Sequence, residues 1–407
     1  MGGVFTRTGN CYLRLEDHQN YWQKLSIMPR LLFVVNDVGY FLAHRLPVAQ
    51  AAQNAGFDVH IAAPERNKKE ILCAYGFSHH HWPVTRSGKN PFVEITLIWK
   101  LARIFQRVQP DILHPITIKP VLYGGIAARL TGCSGMVATI SGLGFIFSSV
   151  NFKAFVLRFL VTRLYRVALK HPRLRVVFEN GDDAKIISRL AALAPEKVCL
   201  LGGVGVDLTE YALESLPSDT IQPIVMLAAR LLKSKGIPEF VAAARQLHDK
   251  GIKARFVLLG VPDAENPETV SEDFIADCVR EGVVEYWGHR EDMPQVLAQS
   301  TLVVLPSWRE GLPRILLEAA AVGRAVITTD APGCRDAIIP EVTGLLVPPR
   351  DAGALANAME RLLNDRERLQ AMGKAGRELA EREFDVRRVM DKHLEIYRKL
   401  LAGKEAL

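Results

Sequence analysis

Short apolar runs alternate with helical stretches along most of the chain, and this alternation restricts the fold more than any other property of the sequence. Leu31 to Val35, Val59 to Ala63, Ile112 to Leu113, Val137 to Ile140, Arg175 to Phe178 and Val198 to Leu201 read as strands. Helices read between them, at Phe41 to Asn54, Pro91 to Arg107, Val121 to Leu130, about Phe152 to Lys170, and Asp182 to Leu193. Runs that are apolar throughout belong to strands covered on both faces, which makes the units βαβ and the sheet parallel. The segment Leu201-Gly202-Gly203-Val204-Gly205-Val206-Asp207 and the polar run to Pro223 break the series as a hinge and linker. The alternation then restarts, with strands at Ile224 to Ala228, Phe256 to Leu259, Val283 to Trp287, Leu302 to Leu305 and Val326 to Thr328. From Arg366 the pattern is helical, bent near Phe384-Asp385. At 407 residues the chain also exceeds one ordinary core. The expected fold is α/β, with two Rossmann-like doubly wound domains, 29–205 and 206–385, facing a cleft. Residues 1–28 read as an extension outside the core, with Met28 as an alternative start, and 386–407 as a C-terminal helix returning to the first domain.

Sheets of this kind bind ligands at the carboxyl ends of their strands, so polar residues there carry the chemistry. The stretch VVLPSWREGLPRILLEAAAVGRAVITTD, from Val303 to Asp330, is a strand–helix–strand unit with Pro313 at a helix start and Gly323 at its end. Glu310 stands in the turn and Glu318 two turns on, at most about 12 Å away, a span that fits one nucleotide-sugar. Helix-start N–H groups at Gly311 and Leu312 favour an anion. On spacing alone, Glu310 is a helix-terminus acid and Glu318 a solvated one. Arg230 and Lys235 follow the first strand of the second half, and a guanidinium fork plus a lysine point charge match a diphosphate. A solvated basic loop is the plainer reading. In the first half, Gly39 lies between a strand and a helix and allows a close backbone approach. The GxGxxG signature is absent, which argues against a nicotinamide enzyme. His114 and Lys119 stand at another strand end, and Gly142 at the next. His79-His80-His81 read as loop or surface residues, since neighbours in a strand would point to opposite faces. With no Asp-x-Asp at a nucleotide site either, no tightly held metal is expected.

The whole phrase is more specific than its parts. Ser307, Glu310-Gly311-Leu312-Pro313, Leu317-Glu318-Ala319, Gly323, Pro332-Gly333-Cys334-Arg335 and Gly344-Leu345-Leu346-Val347-Pro348 together resemble the glutamate–seven residues–glutamate motif of family 4 retaining glycosyltransferases. The resemblance covers 29–407 and implies the GT-B fold, a UDP-sugar as co-substrate, and retention of configuration. It implies that Arg230 and Lys235 hold the diphosphate, Glu318 the ribose and Glu310 the sugar hydroxyls. Gly39 and the N–H groups of Gly311 and Leu312 would then lie against phosphates or the donor sugar. His44-Arg45 matches the His-Arg of the family's first helix. Asp111 to Pro120 resembles the strand of members that extend polyprenyl-linked glycans, although Ile116 replaces the second histidine of their His–x–His. His114, a catalytic candidate with Glu310, Arg230 and Lys235, and Lys119 would contact donor sugar or acceptor, and Gly142 would admit the acceptor. The implied acceptor is an undecaprenyl-diphosphate-linked sugar, for O-antigen or capsule synthesis. A nucleotide-sugar 2-epimerase of the same architecture, or a non-catalytic sugar-nucleotide-binding subunit, are the alternatives.

The net charge of +7 has a location. Residues 151–175 carry Lys153, Arg158, Arg163, Arg166, Lys170, Arg173 and Arg175 and no acid. Leu157, Leu160, Val161, Leu164, Val167 and Ala168 fall on one helical arc, with Arg158, Arg163, Arg166 and Lys170 on the other. Phe152, Phe155 and Phe159 accompany them, so an anionic membrane surface is the expected partner. No nucleic-acid recognition pattern is present. Six scattered cysteines without CxxC spacing fit reduced thiols, and no run reaches membrane-span length. The expected location is cytoplasmic, peripheral at the inner leaflet.

Overall fold

The computed structural model describes residues 28–64, 69–85, 91–143, 161–264 and 266–402. The first half is built on a seven-stranded parallel sheet of order β3-β2-β1-β4-β5-β6-β7. Its strands are β1 (Arg30–Val34), β2 (Asp58–Ala63), β3 (Ser78–His81), β4 (Ile112–Pro115), β5 (Gly135–Ile140), β6 (Leu174–Phe178) and β7 (Val198–Leu200). The helices are α1 (Val38–His44), α2 (Leu46–Asn54), α3 (Lys69–Ala74), α4 (Pro91–Val108), α5 (Ile118–Thr131), α6 (described over 161–168) and α7 (Gly181–Ala191). Central strands such as β5 are buried at every residue, as their apolar sequence requires.

Two details depart from the sequence reading. The single helix expected over Phe41 to Asn54 is broken at Arg45, because Pro47 starts a fresh helix and Arg45 is drawn inward. The three histidines form the edge strand β3, paired with β2 in parallel register. An edge strand is hydrogen-bonded on one side only and can be built without an apolar run, so periodicity gave no warning. Within it, His80 Nε2 lies 2.9 Å from His60 Nδ1, and His60 reaches Asp58.

The second half repeats the plan with a six-stranded sheet of order β10-β9-β8-β11-β12-β13. These strands are β8 (Ile224–Ala228), β9 (Arg255–Leu259), β10 (Glu285–Gly288), β11 (Leu302–Leu305), β12 (Ala325–Thr329) and β13 (Gly344–Val347). Its helices are α8 (Ile237–Asp249), α9 (Glu272–Arg280), α10 (Met293–Gln299), α11 (Arg314–Val322), α12 (Ala352–Leu363) and α13 (Arg366–Leu379). Arg324, fully buried, ties this half to its linker by donating to the carbonyls of Glu214, Ser215, Leu297 and Ala298. After a π-helical turn at Ala380–Phe384 the chain crosses back, and α14 (Val386–Ala402) packs on the first half. Tyr397 lies edge-on to Phe57 at 5.8 Å, and Leu400 covers Gly135. The bend expected near Phe384-Asp385 and the returning helix are both present.

Helix α6 turns differently from its expected arc. Val161, Tyr165, Ala168 and Leu169 are buried, whereas Leu164 and Val167 are exposed beside Arg163, Arg166 and Lys170. Spacing of i, i+4, i+7, i+8 sets the inner face, and Tyr165 rather than Leu164 leads it. Lys153, Leu157, Arg158, Leu160 and the three phenylalanines at 152, 155 and 159 lie outside the described residues. Among the described residues no helix is long and apolar enough to cross a membrane.

Candidate active site

The second half's wall of the candidate site begins where β8 and β11 end. Loop residues 306–308 hang on the turn Lys233–Lys235: Ser307 Oγ donates to the Ser234 carbonyl at 3.0 Å, and the Trp308 N–H does so at 2.9 Å. Gly236 makes this approach possible. Its φ is +78°, and a Cβ there would stand 2.2 Å from the Pro306 carbonyl oxygen. The result sets Lys235 Nζ 2.5 Å from Glu310 Oε1, with both side chains largely withdrawn from water. Glu310 is held from behind as well, its N–H donating to the Pro332 carbonyl at 2.9 Å.

Glu318 lies deeper, on the buried side of α11. Tyr211 Oη donates to its Oε1 at 2.8 Å, and Arg314 stands 2.7 Å from the same oxygen. Burial pushes the Glu318 carboxyl above the usual range, and Arg314 and Tyr211 oppose the shift. Arg230, half exposed just past β8, is paired with Asp263 at 2.7 Å. Arg230, Lys235 and Glu310 therefore follow the carboxyl ends of β8 and β11, where Lys235 and Glu310 touch, while Glu318 lies within α11.

The first half meets this wall directly. Gly142 (φ +96°) faces Gly311, and a Cβ on Gly142 would be 3.3 Å from the Gly311 nitrogen. A Cβ on Gly311 would in turn lie 2.5 Å from Glu179 Oε2. Glu179 is fixed by Arg45, fully buried, which donates to Glu179 at 2.6 Å and to Ser141 Oγ at 2.8 Å. Asn180 caps α7 through Asp183 N–H and donates to the Gly311 carbonyl at 2.8 Å. Asp183, with no side-chain exposure, pairs with Arg309, and Asp182 pairs with Arg335 at 2.6 Å. Arg314 also reaches across, to the Ala43 carbonyl at 2.7 Å. Residues 309–314 are thus stitched to both halves.

Sequence reasoning missed Glu179, Asn180, Asp182, Asp183 and Arg309 as parts of the site. The local signal was Asn180 followed by acids at a helix start, which reads as an ordinary cap. Only the tertiary structure shows that the cap also serves the opposite domain.

Other predicted residues lie elsewhere. His114 is a correction: it is fully buried within β4, Nδ1 2.6 Å from Tyr397 Oη and Nε2 2.7 Å from Thr139 Oγ1. Its ring faces Phe33 at 5.0 Å and His393 at 5.7 Å, under the returning helix α14. Burial drives its pKa well below the ordinary value, with His393 and Arg45 acting in the same direction. Neither nitrogen is available to a substrate. Lys119 is engaged by Glu94 at 2.9 Å and by the Thr85 carbonyl at 3.0 Å. Gly39 sits in the first turn of α1 rather than in a left-handed turn, so its small size is what it contributes there. His44 packs on Tyr40 at 4.6 Å, and burial, then Arg45 and Arg314, lower its pKa to about 3. It is neutral at physiological pH.

Comparison with known proteins agrees with this architecture. Residues 30–174 match the family model described as glycosyl transferase 4-like, and residues 210–379 match glycosyl transferases group 1. The chain is 29% identical over 369 residues to the N,N'-diacetylbacillosaminyl-diphospho-undecaprenol alpha-1,3-N-acetylgalactosaminyltransferase of Campylobacter jejuni, covering 88% of this chain and 95% of that one. It is 26% identical to the UDP-Gal:alpha-D-GlcNAc-diphosphoundecaprenol alpha-1,3-galactosyltransferase of Escherichia coli, over 75% of this chain and 79% of the relative. Among solved structures, sucrose-phosphate synthase from Thermosynechococcus elongatus superposes with a TM-score of 0.77 at 20% identity, covering 92% of this chain and all of that one. Anabaena HepE in complex with UDP and glucose gives 0.70 at 18% identity, covering 93% of this chain and 100% of the other. With family models matched on both of its halves and the two-sheet architecture in place, the chain belongs to the GT-B glycosyltransferases and is an enzyme of that class.

Proposed function

We propose that this enzyme moves a sugar from a UDP-sugar to an undecaprenyl-diphosphate-linked saccharide, with retention, in cell-surface polysaccharide synthesis. The observation that carries the proposal is the Lys235–Glu310 contact at the strand ends, 2.5 Å long and shielded from water. A cation there stabilises charge developing on a departing diphosphate, and its low-dielectric setting strengthens the effect. Arg230, half exposed, supplies a second positive charge. Glu318 has one oxygen engaged by Tyr211 and Arg314, which orients the other for ribose hydroxyls. Glu310 accepts from the sugar hydroxyls, and Gly39 with the N–H groups of Gly311 and Leu312 borders the phosphates or the sugar.

In the proposed reaction the acceptor oxygen forms a new bond to the anomeric carbon as the carbon–oxygen bond to the β-phosphate breaks. Attack comes from the face the phosphate leaves. The acceptor proton passes to the departing phosphate oxygen, and UDP is released. Arg230 and Lys235 supply the positive charge, so no divalent cation is assigned a step. The first half excludes water through its contacts to residues 309–314, since a donor left wet would hydrolyse. Two of the relatives above act on undecaprenyl-diphosphate sugars by name, which supports a lipid-linked acceptor. The exposed basic residues of α6 support a seat on an anionic membrane at the cytoplasmic leaflet.

The test is a panel of UDP- and GDP-sugars offered with a lipid-diphosphate sugar acceptor and read by the mass of the product. Transfer from one UDP-sugar is expected. Label taken from GDP-mannose and from no UDP-sugar would overturn the donor assignment.

A further inference from the structure

Helix α4 carries an outer face that the catalytic reading leaves unused. Its inner side is an ordinary core stripe: Leu97, Leu101, Ala102, Phe105 and Val108 are buried, and Trp82 Nε1 donates to the Leu97 carbonyl at 3.1 Å. The outer side is unusual. Phe92 is 81% exposed, Val93 50%, Ile95 53% and Trp99 59%. Lys100, Arg103 and Arg107 are exposed on the same helix toward its other end. Successive positions at 92, 95, 99 and 103 fall on one stripe at the helical period.

The only acid of α4, Glu94, is turned away from this stripe. It accepts from Lys119 Nζ at 2.9 Å and from Tyr123 Oη at 2.6 Å, both on α5. The outward face is therefore apolar and cationic with no negative charge of its own. A soluble core needs no tryptophan there, and an isolated interface with an acidic protein would not require adjacent Phe, Ile and Trp. Aromatic and aliphatic side chains flanked by lysine and arginine match an anionic bilayer, whose interfacial zone accepts the rings while its headgroups take the cations.

The position fits a lipid partner as well. Lys119 lies in the first turn of α5, which follows the carboxyl end of β4, so its contact with Glu94 puts the apolar end of α4 at the carboxyl edge of the sheet. Helix α5 separates α4 from α6: Gly125 packs on Ala168, and Arg129 donates to the Val167 carbonyl at 3.2 Å. Three neighbouring helices thus cover one side of the first half, and the outer two expose basic residues.

We infer that α4 seats the enzyme on an anionic phospholipid bilayer, with Phe92, Ile95 and Trp99 entering the interfacial zone and Lys100, Arg103 and Arg107 on the headgroups. This rests on the lipid-acceptor reading for its biological sense, but binding is measurable without catalysis. The test is flotation of the full chain with vesicles of phosphatidylglycerol and phosphatidylethanolamine in equal parts. The triple variant Phe92→Ser, Ile95→Ser, Trp99→Ser is expected to lower partitioning at least about tenfold, while transfer to a short-chain, water-soluble acceptor analogue and the melting temperature stay unchanged. In the otherwise native chain, brominated acyl chains should quench part of the tryptophan emission, and Trp99→Phe should remove that part. Flotation equal to the native chain in the triple variant overturns the inference, as does quenching that survives Trp99→Phe. Loss of a self-associated form in the triple variant, with no vesicle binding by the native chain, would assign the face to a second copy instead. If vesicle binding holds and no UDP-sugar is transferred, the functional reading fails and this one stands.

Discussion

The two halves share one plan of sheet and helices, yet they use charge in opposite ways. In the second half Lys235 and Glu310 meet at the strand ends, and Arg230, paired with Asp263, is half exposed. In the first half the comparable groups are fully buried: Arg45 against Glu179 and Ser141, and His114 against Tyr397 and Thr139. What this half offers outward is Asn180, Asp182 and Asp183, and these go to the loops of the second half. On the proposed reading, one half holds the charge of the substrate, and the other holds the half that does so.

This contrast makes a steep prediction first. Lys235→Ala removes the cation beside Glu310 and leaves a shielded carboxylate without its partner. Turnover should fall roughly a hundred- to a thousand-fold, the range found when one group stabilising a developing anion is removed. Steady-state rates with saturating UDP-sugar measure it. A loss below about tenfold would mean that the second half does not carry the diphosphate through Lys235.

The next prediction concerns the contacts between the halves. Asp183→Asn weakens its pairing with Arg309, a contact with almost no water access on the aspartate side. Removing one partner of such a pair is strongly destabilising to the state that contains it, here the closed arrangement. A fall of about tenfold in turnover is expected, equivalent to about 1.4 kcal/mol. Donor hydrolysis should rise relative to transfer, because a loosened closure admits water. A purely structural aspartate would lower stability and leave that ratio alone.

These residues also mark what the sequence could and could not disclose. The strand–turn–helix placement of Glu310 and Glu318 was legible within a few residues, but spacing alone made them a helix-terminus acid and a solvated one, and only the resemblance of the whole phrase marked them as candidates. The place of Lys235, one short loop beyond β8, was legible in the same way, and its candidacy likewise came from the resemblance. His114 was not, since its surroundings come from Tyr397 and His393, nearly three hundred positions on. Asn180 and Asp183 looked like a helix start, and they are one, with Asn180 Oδ1 accepting from Asp183 N–H. Their second role depends on the relative placement of two domains, which no local pattern encodes. The same limit explains α6, where the choice between Leu164 and Tyr165 for the inner face is made by α5 and the sheet, not by the helix alone.

A third prediction tests the reassigned histidine. His114→Ala should cost roughly 2 kcal/mol or more, because it opens a cavity and leaves Tyr397 Oη and Thr139 Oγ1 buried without their partner. Chemical denaturation measures the loss. The folded enzyme should retain nearly native turnover, and a drop comparable to that of Lys235→Ala would restore His114 to the reaction.

The last effect is one of pH, and it isolates the seam between α14 and the first half. His393 donates from Nδ1 to the Val389 carbonyl at 2.8 Å, while Nε2 is buried with no partner. Burial lowers its pKa to about 4 from an ordinary 6.5, and the positive charge of Arg45 adds to the shift. Above the ordinary value both folded and unfolded chains carry a neutral ring, and the residue has no influence on the balance. As pH falls below it, the unfolded chain takes up a proton that the folded ring refuses, so stability drops until the folded value is reached. The loss is on the order of 3 kcal/mol from this ring, and His114 beside it acts in the same direction. His393→Phe keeps an aromatic ring against Tyr397 and cannot titrate, so its melting temperature should fall less between pH 7 and pH 5 than that of the native chain. Because α14 leaves the second half at Asp385 and covers only the first, acid should loosen this cover before it disturbs Lys235 and Glu310. Equal acid sensitivity in the variant would place the titrating group elsewhere and remove the seam as the weak point of the first half.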